Sequence, residues 1–138
     1  MSPKHLAIGI VATAVLGSFI KSSAGESRFS GVFVISDITV SKDEPYQRYR
    51  QAVKPLIESC GGTYVVRAGA KFVTDNPTTA LVSTSGGWNP DRIIVLHFDT
   101  AEQATACFDS PEYEAVYALR EGGTSSKSLV VNAYRPDD

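Results

Sequence analysis

His97 is the residue whose chemistry is easiest to name. The chain has only two histidines, His5 and His97, and a neutral imidazole can act as a general base near pH 7 or hydrogen-bond a ligand. The competing reading is a packed histidine satisfied by a neighbour, on a strand face shared with Ile93 and Val95. Arg67 and Arg120 carry planar guanidinium forks that suit a carboxylate or phosphate; they can equally pair with Glu112, Asp37 or a partner subunit. Arg67 shares a strand face with Gly69, where the missing side chain leaves room for a ligand. Arg120 falls in the last turn of a helix, where the dipole favours a base in any case. Trp88, Tyr49, Tyr113 and Tyr117 can wall a pocket, with Tyr hydroxyls orienting what enters it, or serve as core and dimer contacts. Ser110 is not read as a nucleophile, because capping explains it and no base stands beside it. One histidine without clustered acids cannot supply the three or four ligands of a metal site, and nothing implies a cofactor.

These residues have to be positioned by elements, and most of them cluster between Gly86 and Tyr113. Arg92 to Phe98 is a β-branched apolar run bounded by Asn89-Pro90-Asp91 and Asp99-Thr100, the pattern of a largely buried strand; Arg92 at its start reads as solvated. Thr100 with Gln103 has the form of a capping box. A second helix start follows at Ser110-Pro111-Glu112, with a hydroxyl cap, proline in the first turn and an acid near the positive dipole end.

Upstream, Val32 to Val40 reads as a strand. A helix beginning near Asp43, whose side chain can cap it, then places Tyr46, Tyr49, Val53, Leu56, Ile57 and Cys60 on one face. Pro55 predicts a kink or break around Gln51 to Lys54, and Gly61-Gly62 ends the helix. Thr63 to Ala70 is the next strand, with Tyr64, Val66 and Ala68 on one face and Val65, Arg67 and Gly69 on the other. Lys71 to Gly87 reads as a long hairpin connection carrying a short extra strand at Ala80-Leu81-Val82. Gly122-Gly123 closes the second helical arm, Lys127 to Tyr134 is the last strand, and the tail from Arg135 to Asp138 frays. Cys60 and Cys107 are read as buried thiols: Cys107 lies two turns into its helix and Cys60 ends the first, a poor level match for a bond that needs Cα atoms within roughly 7 Å. A bridge is the alternative in an oxidising compartment.

The order β-α-β-β-α-β is the ferredoxin-like split pattern, α+β, with a four-stranded antiparallel sheet and its helices on one face. The other face carries apolar residues among polar ones, which points to a homodimer with sheets face to face.

Composition bounds what the domain meets. Hydrophobic residues make up 43% of the 138 and charged ones 20%, as expected of one globular domain. Lys4 and His5 precede an apolar run from Leu6 to Ile20, and Ser22-Ser23-Ala24 supplies small residues at a cleavage site. This is the pattern of a signal peptide over 1–24, with 25–30 as linker and 31–138 as the domain. The run is short of the roughly 20 residues of a membrane span, although Lys21 after it keeps a retained anchor as the alternative. Cleavage after Ala24 removes Lys4 and Lys21, so 13 basic residues become 11 against 15 acidic ones, and the net charge moves from −2 to −4. The mature domain is then secreted or periplasmic, without a membrane segment. Its singly scattered Lys and Arg exclude a nucleic-acid partner, which needs a basic patch.

Tyr49, Gly61-Gly62, Arg67 with Gly69, Gly87-Trp88 with Pro90 and Arg92, Ser110-Pro111-Glu112-Tyr113 and Arg120 together resemble the family catalogued as domain of unknown function 1330, over about Val32 to Tyr134. The resemblance implies the dimeric α/β-barrel superfamily, hence the same ferredoxin-like protomer and a back-to-back dimer. That superfamily holds cofactor-free monooxygenases, haem proteins, isomerases and members without known activity, so it implies no single reaction. Two acidic positions usual in the family are absent: His97 stands where a glutamate precedes the phenylalanine of the central strand, and Gly86-Gly87 replaces Glu-Gly before Trp88.

Three functions remain open. The leading one is an exported homodimer that binds a small apolar or carboxylated molecule between sheet and loop, with Arg67, Trp88, Tyr49, Tyr113 and Arg120 as contacts. The second is a cofactor-free oxygenase- or isomerase-type enzyme in which His97 moves the proton, Arg67 holds the substrate's charge and Trp88 shapes the pocket. The third is a structural or interaction module without a ligand. They separate on whether His97, Arg67 and Trp88 line one cavity.

Overall fold

Alternate residues of Val32–Val40 (β1) are buried, Val32, Val34, Ile38 and Val40 each at or below 5% exposure, and this period of two fixes which side of the sheet becomes the core. The computed structural model describes residues 30–69 and 85–135. The leader at 1–24, most of the linker, the extra strand at Ala80–Val82 and the last three residues of the tail lie outside them. After β1 come α1 (Asp43–Ser59), β2 (Thr63–Gly69), β3 (Arg92–Phe98), α2 (Ala101–Phe108), α3 (Pro111–Ala118) and β4 (Thr124–Asn132). The four strands form one antiparallel sheet in the order β2-β3-β1-β4. This is the α+β ferredoxin-like arrangement, with the second helical arm made of two short helices.

The helices cover one sheet face. Tyr46, Tyr49, Val53 and Ile57 of α1 and Ala104 and Cys107 of α2 pack on Val32, Val34, Ile38, Val40, Leu96 and Phe98. Burying Ile57 and Phe98, which are 1% and 0% exposed, stabilises the fold by roughly 1.5–3 kcal/mol each. On the other face lie Phe33, Ile35, Asp37, Val66, Val95, His97, Leu129 and Val131, paired in register.

Helix ends follow local chemistry. Gly61, at φ +82°, donates to Glu58 O at 3.0 Å and Gly62 to Ile57 O at 2.9 Å, which is a Schellman close that only a residue tolerant of positive φ supports cheaply. The N–H of Gln103 donates to Thr100 Oγ1 and that of Tyr113 to Ser110 Oγ, both at 3.1 Å, so both expected caps form. Asp43 does not cap α1. Lys42 holds that position without a side-chain bond, and Asp43 and Glu44 lie inside the first turn near the positive dipole end.

Four further expectations are corrected. Helix α1 continues unbroken through Pro55; the proline is exposed, its ring faces water, and Val53 and Ile57 on either side of it are buried and hold the last turn. Strand β4 starts at Thr124 and ends at Asn132, three residues earlier at its start than the apolar pattern suggests, because Ser125 to Ser128 pair with β1 through the backbone. In β2 the alternation breaks. A bulge between Tyr64 and Val66 leaves Val65 outside the ladder and puts Tyr64 on the same face as Arg67 and Gly69. Finally, Cys60 and Cys107 are bridged, with Cα atoms 5.7 Å apart. Cys107 lies in the last turn of α2, which ends at Phe108, and Gln103 Nε2 donates to Cys60 O at 2.9 Å, which brings the close of α1 level with that turn.

Candidate functional site

Between the helices and the sheet lies a cavity of about 460 Å³, within the range of small-molecule sites. The sheet supplies its floor: Arg67 and Tyr64 from β2, Ile94 and Leu96 from β3, Val34, Ser36 and Ile38 from β1, Ser126 and Ser128 from β4. Helix α1 contributes Tyr46, Tyr49, Arg50 and Val53, and Tyr113, Tyr117 and Arg120 close the side. Among the described residues three arginines line it and no Asp or Glu does.

Arg120 is the best-defined group in this space. It is 4% exposed, and its guanidinium carbon stands 4.8 Å from the Tyr49 ring centre and 4.4 Å from that of Tyr117. Nη2 donates to Ser126 Oγ and, at 3.3 Å, to Tyr117 OH. Its Nε is buried with no hydrogen-bond partner among the described residues. Two ring faces stabilise a desolvated cation by about 2 kcal/mol each at best, less than the several kcal/mol that leaving water costs a charge. Among the described residues no carboxylate forms a salt bridge with it.

The tyrosines feel this field. Tyr117 is held below its ordinary phenol value, first by the hydrogen bond from Arg120. Burial, and then Tyr113, push Tyr49 well above that value against the pull of Arg120. Burial raises Tyr64 to about 12, with Arg67 opposing. Arg67 Cζ stacks 5.0 Å over the Tyr64 ring, and Arg50 is lowered by burial, then by the charges of Arg92 and Arg67.

Of the residues singled out in the sequence, Tyr49, Arg67, Tyr113 and Arg120 meet in this cavity, with Tyr117. His97 and Trp88 do not. His97 points to the opposite sheet face, where its ring lies 5.3 Å from that of Phe33 and its Nε2 bonds the Ser30 carbonyl. Trp88, 60% exposed, donates from Nε1 to Asp37 Oδ2 at 2.9 Å on that same face. A constellation of His97, Arg67 and Trp88 around one substrate is therefore not formed: the sheet separates the imidazole from the guanidinium.

Two other expectations change. Gly69 makes room for Arg92, its cross-strand neighbour, whose stem occupies the place of a Cβ; Arg92 is accordingly 2% exposed rather than solvated. Ser110 Oγ donates to Cys107 O at 2.7 Å and accepts from Tyr113 N, which commits the hydroxyl to capping.

Sequence reasoning missed Arg50, Tyr64 and the serines. Arg50 lies four residues after Tyr46 and three before Val53, a spacing that already sets it on the buried face. Ser126 and Ser128 share the period of Val130 and required only an earlier start of β4. Tyr64 was hidden by the bulge. Among the described residues no group of His, Cys, Asp and Glu can hold a metal, and no helix is long and apolar enough to cross a membrane.

Comparison with known proteins places this geometry. The family model described as Domain of unknown function (DUF1330) matches residues 31–134. A protein of unknown function from Rhodopseudomonas palustris superposes with a TM-score of 0.58 at 13% identity, over 79% of this chain and 86% of that one. A dimeric ferredoxin-like protein of unknown function from Thermobifida fusca gives 0.50 at 12% identity, over 77% and 93%. No curated protein matches the chain. At these identities the solved structures support the fold.

Proposed function

This chain belongs to the DUF1330 family of domains of unknown function, and from that premise we propose that it binds a small organic anion with an apolar or aromatic body between its helices and its sheet. Arg120 carries the reading. A guanidinium 96% withdrawn from water, between two phenol rings and without a carboxylate among the described residues, gains most from an incoming carboxylate or phosphate, since a charge-assisted pair replaces lost hydration. Aromatic walls then take the apolar body.

The test is thermal denaturation and calorimetry of the mature domain with a panel of aliphatic and aromatic carboxylates and phosphates. An anion at about 100 times its Kd adds roughly 2.7 kcal/mol of stability. We expect that gain from at least one class and its loss in Arg120→Met. A panel without effect on melting or heat sinks the reading.

The proposal includes self-association. The helix-free face exposes Leu129 at 54%, Val66 at 37% and Val131 at 39%, beside Phe33, Ile35 and Val95, neighbouring apolar side chains of the kind that mark an interaction surface. The Thermobifida fusca protein of this fold is described as dimeric. In a dimer formed this way His97 and Trp88 belong to the interface rather than to the ligand, and proton transfer by His97 to a substrate held by Arg67 is not part of the proposal. Export completes it: the leader pattern and a disulfide both suit an oxidising compartment.

A further inference from the structure

We propose that the ligand of this cavity is two-headed, an elongated dicarboxylate with an apolar middle, one end held by Arg67 and the other by Arg120. The inference rests on the anion-binding reading above and adds the shape of the anion. Strand register carries it. Arg67, Ile94, Ser36 and Ser128 form one cross-strand row on the helix-covered face, running from β2 at one edge of the sheet to β4 at the other. Three strand spacings of about 4.8 Å put those edges roughly 14 Å apart. Arg67 enters the cavity from the β2 edge. Arg120 stands over the β4 edge, because its Nη2 donates to Ser126, two residues before Ser128 in the same strand.

Each arginine has the same incomplete environment. Arg67 stacks on Tyr64, Arg120 on Tyr49 and Tyr117, and neither has an ion pair among the described residues, where the two salt bridges are Arg48–Glu44 and Lys54–Glu58 on the exposed side of α1. Between the two cations the floor is Ile94 and Leu96, with Val53 of α1 above. A chain of methylenes or a ring suits that middle, where a third charge would be desolvated without a partner. Arg67 from β2 and Arg120 over β4 are thus two separate cationic centres on the cavity wall. One carboxylate can answer only one of these two centres. The hydroxyls of Ser36 and Ser128, bonded to each other at 2.8 Å, lie along the row and can turn toward an oxygen at the β4 end.

The experiment is calorimetric titration of the mature domain with azelate, nonanoate and succinate. Azelate and nonanoate share a chain length and differ by one carboxylate; succinate has two carboxylates too close together to reach both arginines. We expect azelate to bind at least about tenfold more tightly than either, the equivalent of one further charge-assisted pair. Arg67→Met should cut azelate affinity about tenfold while leaving nonanoate within about twofold, held at Arg120. Arg67 is half-buried at a sheet edge, so this variant keeps the question answerable should Arg120→Met fail to fold. Equal affinities for azelate and nonanoate, or an Arg67→Met variant that binds azelate like the wild type, overturn the two-headed ligand and leave the anion site standing. A panel in which no carboxylate binds removes the two-headed ligand, and the anion site falls with it when the phosphates of the wider panel are also without effect.

Discussion

The phenols around Arg120 titrate apart, and that separation is measurable. Tyr117 is lowered by the hydrogen bond it accepts from Arg120, whereas burial raises Tyr49 and holds Tyr64 at about 12 against a reference of 10.0. A tyrosine raised in the folded state contributes stability that is complete below the unfolded value and is lost as pH climbs through the folded one. Two raised groups face one lowered group, so we expect melting temperature to fall as pH rises from about 10 toward 12. Tyrosinate absorbance should show one early step, absent in Tyr117→Phe. A single step near the reference value, shared by all the tyrosines, contradicts this. The residue types of the site were legible before its geometry was. Tyr49, Tyr113, Arg67 and Arg120 were each recognisable as ligand-facing candidates, but a sequence cannot report that Gly69 accommodates Arg92 instead of a ligand. Nor did it reveal that His97, the most conspicuous chemical group, faces away from them. Parity along β3 put His97 with Ile93 and Val95 correctly; the face to which that set belonged required knowing where the helices lie.

At the level of elements, strands β1 and β3 and both caps of the second helical arm could be read from β-branched runs and from hydroxyl–proline–acid signals, because local physics alone dictates them. The bulge at Val65 could not, since cross-strand pairing decides it. The disulfide was misjudged because packing between the helices, not position along each one, sets Cys60 level with Cys107. The bridge closes a loop with a sequence separation of 47, and loop-closure entropy for that length is worth about 4 kcal/mol. We expect reductant, or the Cys60→Ala/Cys107→Ala pair, to lower denaturant stability by about that amount, and a loss under about 1 kcal/mol to refute it. Intact mass of the protein recovered from cells checks the companion proposal of export, which expects a chain beginning at Gly25 and two hydrogens lighter than its dithiol.

For the whole molecule, the element order already specified a ferredoxin-like sheet with one bare face, and the bare face is where a second copy is expected. Leu129→Glu places a charge on that surface, in the edge strand β4 beside the cross-strand Ile35. Sedimentation equilibrium should show a dimer for the wild type and a monomer for the variant, with helix content unchanged; a wild type that sediments as a monomer ends the proposal. The helical layer has a second asymmetry. Its α1–α2 corner is clamped by the Cys60–Cys107 bridge and by Gln103 on the Cys60 carbonyl, whereas α3 has no buried residue and follows a two-residue break at Asp109-Ser110. Local opening follows the weakest packing, so deuterium should enter the amides of α3 from Glu112 to Ala118 well before those of α1, and a bound anion should slow it there first. Similar uptake in both helices would count against this. If exchange follows that order, the clamped corner is a fixed hinge post and α3 the leaf that swings, and the time a guest spends inside is set by how often that leaf moves.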